Sequence, residues 1–157
     1  TQCSFLNSNG GINLAEITVE NQQLVKSTAP ILKEKGDVIT ARMYELMFNN
    51  HPEVKVLFVN APNNQNEILA RAIIAYSENI DNLPALEGAL DKIAQHHINT
   101  QVKSEHYPIV ADALLQAMKD VLGNALTDEI ATAWKEAYWF LADILIEREN
   151  ALYAKMA

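Results

Sequence analysis

The sequence predicts an all-α fold, on three observations. Apolar residues recur three and four apart along nearly all of the 157 residues, as they do on helices that bury one face. No stretch alternates apolar with polar residues as a half-buried strand would, and no internal repeat is present. The connectors between the periodic segments are short and rich in Pro, Gly and Asn. With 49% hydrophobic and 20% charged residues, the chain reads as one domain that buries roughly two-thirds of its unfolded surface.

Residues 1–17 read as a flexible tail and residues 18–157 as the domain, because the first thirteen residues hold three Asn and the pair Gly10-Gly11. Thr18 is placed to cap a first helix, with Glu20 in its opening turn and Leu24, Val25, Thr28, Ile31 and Leu32 on its inner face; Pro30 should bend it. Gly36-Asp37 should break the chain, and Asp37 should cap a second helix with Ile39, Met43, Tyr44 and Met47 buried, ended by the run from Asn49 to Pro52. A short turn then carries Leu57, Phe58 and Val59, and residues 60–66 form a surface loop. Asn64 and Glu67 have capping-box spacing ahead of a helix through Leu69, Ala72, Ile73 and Tyr76. The next helix is expected from about Leu86 to Ile98, another from a Ser104 cap through Pro108 to Gly123, and the longest from Thr127-Asp128-Glu129 onward. Many distinct apolar faces on short connectors suit orthogonal packing around a cofactor better than a coiled coil.

Leu86, Leu90, Ile93 and His97 recur at spacings of four, three and four, so His97 lies in line with an apolar stripe. His96, turned by about 100°, does not. A neutral imidazole facing an apolar cavity suits haem iron, although a histidine on an apolar face, taken alone, is more often a hydrogen-bonded core residue. A hydrolase metal site built from His96, His97 and His106 is disfavoured, because adjacent histidines diverge on a helix.

Twelve Lys and Arg against twenty Asp and Glu give a net charge of −8 with no basic cluster, which argues against nucleic acid and anionic membrane as partners. The longest apolar run, residues 138–146, is too short to span a bilayer and contains Asp143. No basic, apolar leader is present, so the expected location is the cytoplasm. Cys3, the one cysteine, excludes an internal disulfide and reads as an incidental thiol.

On the last helix, Ile130, Trp134, Tyr138, Leu141, Leu145 and Glu149 form a stripe that ends in a carboxylate, which needs a donor or a cation on an apolar face. Tyr107 offers a hydroxyl. If both meet the second nitrogen of His97, they fix the ring and make it more anionic. Tyr44 on the inner face of the second helix and Gln65 at the entry of the next could each donate a hydrogen bond, and Phe58 and Leu69 are apolar, but from spacing alone each of the four is more often plain core.

The runs ARMYELMFNNHPEVKVLF, NIDNLPAL, KIAQHHINTQVKSEHYPIV and AWKEAYWFLADILIERENALY resemble the globin domain of bacterial flavohaemoglobins and the single-domain bacterial haemoglobins, over residues 18–153. The resemblance implies a globin fold, an orthogonal three-over-three sandwich of helices around haem b. It places the iron-ligating histidine on His97, the proximal relay on Tyr107 and Glu149, the distal tyrosine on Tyr44 and the haem-stacking aromatic on Phe58. The distal glutamine and leucine fall on Gln65 and Leu69. It implies reversible binding of oxygen, nitric oxide and carbon monoxide, and nitric oxide detoxification, a dioxygenase activity, when an external reductase supplies electrons. The chain departs from the pattern at His96, where the family commonly has lysine, and at Trp139-Phe140, where it has a small residue. Trp139 is read as a half-buried side chain in preference to the contact of a homodimer. No G-x-G-x-x-G signature for a dinucleotide is present and no reductase domain is expected. The competing function is a haem-free globin-like regulatory or interaction module.

Overall fold

The computed structural model describes residues 17–156 and, before them, residues 4–6 and 12–14. Of the expected tail, residues 1–3, including Cys3, and residues 7–11, 15 and 16 lie outside the described residues. Ser4–Leu6 and Ile12–Leu14 pair as two short antiparallel strands, with Phe5 opposite Asn13. Ile17 is buried in the core.

The rest is helical. Helix α1 spans Val19–Ser27, started by Thr18, whose hydroxyl accepts the Asn21 N–H at 3.2 Å. The expected bend at Pro30 is instead a junction at Thr28: α2 begins at Ala29 and Pro30 sits in its first turn, where a missing N–H costs nothing. The expected break at Gly36-Asp37 does not occur, because α2 continues unbroken from Ala29 to Asn50. A glycine inside a helix costs about 1 kcal/mol. Here it permits close contact with α3, since a Cβ at Gly36 would lie 3.3 Å from Ala70 Cβ. The local breaker rule is outweighed by packing between the two helices.

After a 3-10 turn over Pro52–Phe58, α3 spans Gln65–Glu78, and the Asn64 side chain makes no capping bond. A second 3-10 turn, Leu83–Leu86, leads into α4, Glu87–Asn99. Ser104 does not cap the following helix. It opens a 3-10 turn in which His106 Nδ1 accepts the Lys103 N–H at 2.9 Å, and α5 starts at Tyr107 and runs to Leu122. Gly123, with φ at 54°, takes a positive-φ conformation that favours glycine, and α5 ends there. Helix α6, Asp128–Met156, is preceded by Thr127, whose hydroxyl accepts the Ile130 N–H.

Helix α2 packs on α3 and α5, and α6 packs on α1, α4 and α5. The main core gathers Leu32, Ile39, Met43, Met47, Met118 and Trp134. Each such side chain contributes roughly 1.5–3 kcal/mol by burial. The Trp134 indole donates to Thr28 Oγ1 at 3.0 Å and Tyr76 Oη to the Ala137 carbonyl at 2.7 Å, so these buried polar atoms are paired. A smaller cluster of Leu90, Ala94, Tyr107, Ala142 and Leu145 joins α4, α5 and α6. Leu86 packs against both clusters. Trp139 is half-buried, its ring edge-on to Tyr138 at 5.3 Å. No helix among the described residues is long and apolar enough to cross a membrane.

Candidate functional site

Helices α4, α5 and α6 each supply one polar group at the edge of the smaller cluster. His97 Nδ1 lies 2.7 Å from Glu149 Oε2 and 3.2 Å from Tyr107 Oη, and Tyr107 Oη donates to Glu149 at 2.8 Å. Glu149 is only 3% exposed and Tyr107 7%. A carboxylate accepts and cannot donate, so the proton of this contact resides on His97 Nδ1 and the lone pair of the neutral ring on Nε2. Nε2 has no hydrogen-bond partner among the described residues. Burial pushes the Tyr107 phenol well above the usual tyrosine range, and the charge of Glu149 pushes it further. Tyr107 therefore remains a donor across the ordinary pH range.

The last helix also fixes the backbone around this group. Tyr138 Oη donates to the Tyr107 carbonyl at 2.7 Å, and Tyr153 Oη to the Val102 carbonyl at 2.7 Å. Val102 N–H in turn donates to the His97 carbonyl at 2.9 Å, across a turn in which Gln101 adopts φ 65°. Arg148, the neighbour of Glu149, grips Glu87 with Nη2 at 2.9 Å and Asp91 with Nη1 at 2.6 Å. One guanidinium thus bridges two carboxylates four apart on α4 that would otherwise repel.

A second group lies on the main core. Tyr44 on α2 meets Phe58 edge-on, with ring centroids 5.4 Å apart, and both meet Phe48, at 5.8 and 5.5 Å. Leu69 on α3 is half-buried against the same core. Burial raises the Tyr44 phenol above its ordinary range, and the neighbouring Gln65 side chain opposes the shift. The structure therefore brings Tyr44, Phe58 and Gln65 together from three successive elements. Leu86, in contact with both clusters, joins this core to the His97 stripe, on which Ile93 is also half-buried.

His96 is exposed, its ring centroid 6.4 Å from that of His97, so the two histidines do diverge. No group of three or more His, Cys, Asp or Glu that could hold a metal exists among the described residues. Sequence reasoning missed Phe48, although its place four residues after Tyr44 marks the same helix face, and it missed Arg148, whose partners lie far away in the chain.

A family model described as Globin matches residues 41–145. An uncharacterized globin-like protein of Aquifex aeolicus is 48% identical over 139 residues, covering 88% of this chain and 99% of that protein. A flavohemoprotein of Halalkalibacterium halodurans is 41% identical over 145 residues, covering 90% of this chain and 35% of that protein, so the chain spans about a third of the flavohemoprotein's length. Among solved structures, an engineered carbene transferase, a putative nitric oxide dioxygenase from Rhodothermus marinus, superposes with a TM-score of 0.86 at 38% identity. That likeness covers 89% of this chain and 98% of the other.

Proposed function

The chain belongs to the globin family, and from that premise we propose that it holds haem through His97 and binds oxygen reversibly on the Tyr44 side. With an external reductase supplying electrons, it supports nitric oxide detoxification. The residues fit the group: His97 is half-buried, its Nε2 has no hydrogen-bond partner among the described residues, and its other nitrogen is anchored on a buried carboxylate. A single cysteine leaves no C-x-x-C-H attachment, which favours non-covalent haem b. Haem, once held, supplies an iron that takes oxygen, nitric oxide or carbon monoxide and changes oxidation state.

The observation that carries the reading is the His97, Glu149 and Tyr107 triad. Glu149 orients the ring and makes Nε2 a stronger electron donor, and Tyr107 holds the carboxylate in place. On the opposite side, Tyr44 and Gln65 hold hydrogen-bond donors ready for a ligand that gains negative charge, and Phe58 and Leu69 exclude water. Sequence likeness to a flavohemoprotein and structural likeness to a putative nitric oxide dioxygenase support the nitric oxide reading.

Absorbance of purified protein tests it. Wild type and His96→Ala should show a strong Soret band, and His97→Ala should lose most of it. A wild type without the band would point to the haem-free regulatory module, and a His97→Ala protein with normal haem content and spectrum would remove His97 from its role.

A further inference from the structure

Three carbonyl oxygens surround one buried hydroxyl on α2. Thr40, wholly inaccessible to solvent, places Oγ1 3.0 Å from the Gly36 carbonyl and 3.2 Å from that of Asp37, both in its own helix. The third, the Asn66 carbonyl in the first turn of α3, is 2.7 Å away. A hydroxyl has one proton to give. A threonine inside a helix ordinarily returns it to the carbonyl four residues back, yet the shortest contact here crosses to the neighbouring helix. Asn66 Nδ2 answers by donating to the Asp37 carbonyl at 3.2 Å. The helices approach closely enough for this exchange because Gly36 carries no side chain against Ala70. Tyr44 lies one turn beyond Thr40 on the same face, and Gln65 directly precedes Asn66.

We propose that Thr40 is a positioning residue, which through Asn66 sets the separation of Tyr44 from Gln65 and so the aim of the donors offered to a bound gas. This rests on the haem-globin reading above and assigns the geometry of its ligand side to a hydroxyl that touches neither haem nor gas. Packing alone gives a different expectation: valine has the shape of threonine, so a purely space-filling role would survive Thr40→Val.

The test uses the haem-loaded protein with Thr40→Val, which removes the donor, and Thr40→Ser, which keeps it. Thr40→Val should release oxygen about fivefold faster and shift the side-chain amide resonances of Gln65, and Thr40→Ser should stay within about twofold of wild type. In a Gln65→Leu background, Thr40→Val should change the rate by less than about twofold, because the hydroxyl acts through that pair. An unchanged rate and unshifted Gln65 amide in Thr40→Val would overturn the proposal. So would the same acceleration with Gln65 already replaced. Should Thr40→Val fail to fold, Asn66→Ala, which cuts the return bond to Asp37, is read in the same way. A wild type that takes up no haem would refute the functional reading while the Gln65 amide shift still decides the clamp.

Discussion

Replacing Glu149 by Gln keeps the size of the side chain and removes its charge. In the native site the carboxylate accepts from His97 Nδ1 at 2.7 Å and from Tyr107 at 2.8 Å while only 3% exposed, so both bonds are charge-assisted and shielded from water. Such bonds contribute about 1.5–3 kcal/mol each against about 1 kcal/mol for neutral ones. Glutamine offers one carbonyl oxygen, so if it stays on His97 its amide faces Tyr107, which must then turn its own proton away. A net weakening of about 1.4–2.7 kcal/mol follows, equivalent to a 10- to 100-fold loss of metal affinity when an outer partner is removed. Haem transfer to an excess of a scavenging apoprotein should accelerate by that factor, and the iron–histidine stretching band in the resonance Raman spectrum should move to lower frequency. Tyr107→Phe, which leaves the carboxylate on His97, should produce a smaller shift in the same direction. If Glu149→Gln leaves both the band and the transfer rate at wild-type values, the triad does not tune His97.

Two further outcomes follow from other groups. Tyr44→Phe removes a donor worth roughly 1.5–3 kcal/mol to a charged acceptor, so oxygen should leave about 10- to 100-fold faster while carbon monoxide responds little; an unchanged oxygen rate, with acceleration in Gln65→Leu, would move the donor role to Gln65. Burial raises Tyr76, Tyr107 and Tyr138 above the ordinary phenol range, with the charge of Glu149 adding at Tyr107. Unfolded tyrosines ionise near pH 10 and these do not, so no stability is lost below that pH; above it, stability falls by about 1.4 kcal/mol per pH unit for each group, about 4 kcal/mol for the three. Tyrosinate absorbance should therefore rise together with the loss of helical circular dichroism, and smooth titration with the helices intact would contradict the burial argument.

The candidate site is legible in the sequence where a polar residue breaks an apolar pattern. His97 and Glu149 each sit on a helical stripe of aliphatic side chains, where a polar group needs a partner unless solvent reaches it, so the stripes make both residues conspicuous while only the fold pairs them across 52 positions. Arg148 is not legible, because its partners Asp91 and Glu87 lie 57 and 61 positions away on solvated faces, where charges obey no period. Thr40 has the pattern of an ordinary helix residue, since its informative contact is with a backbone carbonyl on another helix. In the fold, the class and the order of the helices follow from periodicity. Gly36 misleads because the breaker rule describes an isolated chain, whereas here Ala70 packs into the space that a Cβ would take.

The two sides of the site are fastened by different helices, which makes their coupling measurable. Around His97 the fixing groups are Tyr107 of α5 and Tyr138, Arg148, Glu149 and Tyr153 of α6. Tyr44 and Gln65 are held where α2 meets α3. No hydrogen bond among the described residues joins one set to the other, so on the proposed haem reading changes at Glu149 and Tyr44 should communicate chiefly through the charge on a bound gas. A less anionic His97 pushes less charge toward the ligand, and a donor opposite then has less to stabilise. For carbon monoxide, which accumulates little charge, Glu149→Gln and Tyr44→Phe should add within about 0.5 kcal/mol in the logarithm of the dissociation rate. For oxygen, the double variant should fall short of additivity by about 1 kcal/mol, within the range typical of coupled groups. The four proteins and two gases form a pair of double-mutant cycles by stopped flow. Equal coupling for both gases would mean that the path runs through the packing of the protein and not through the charge on the ligand.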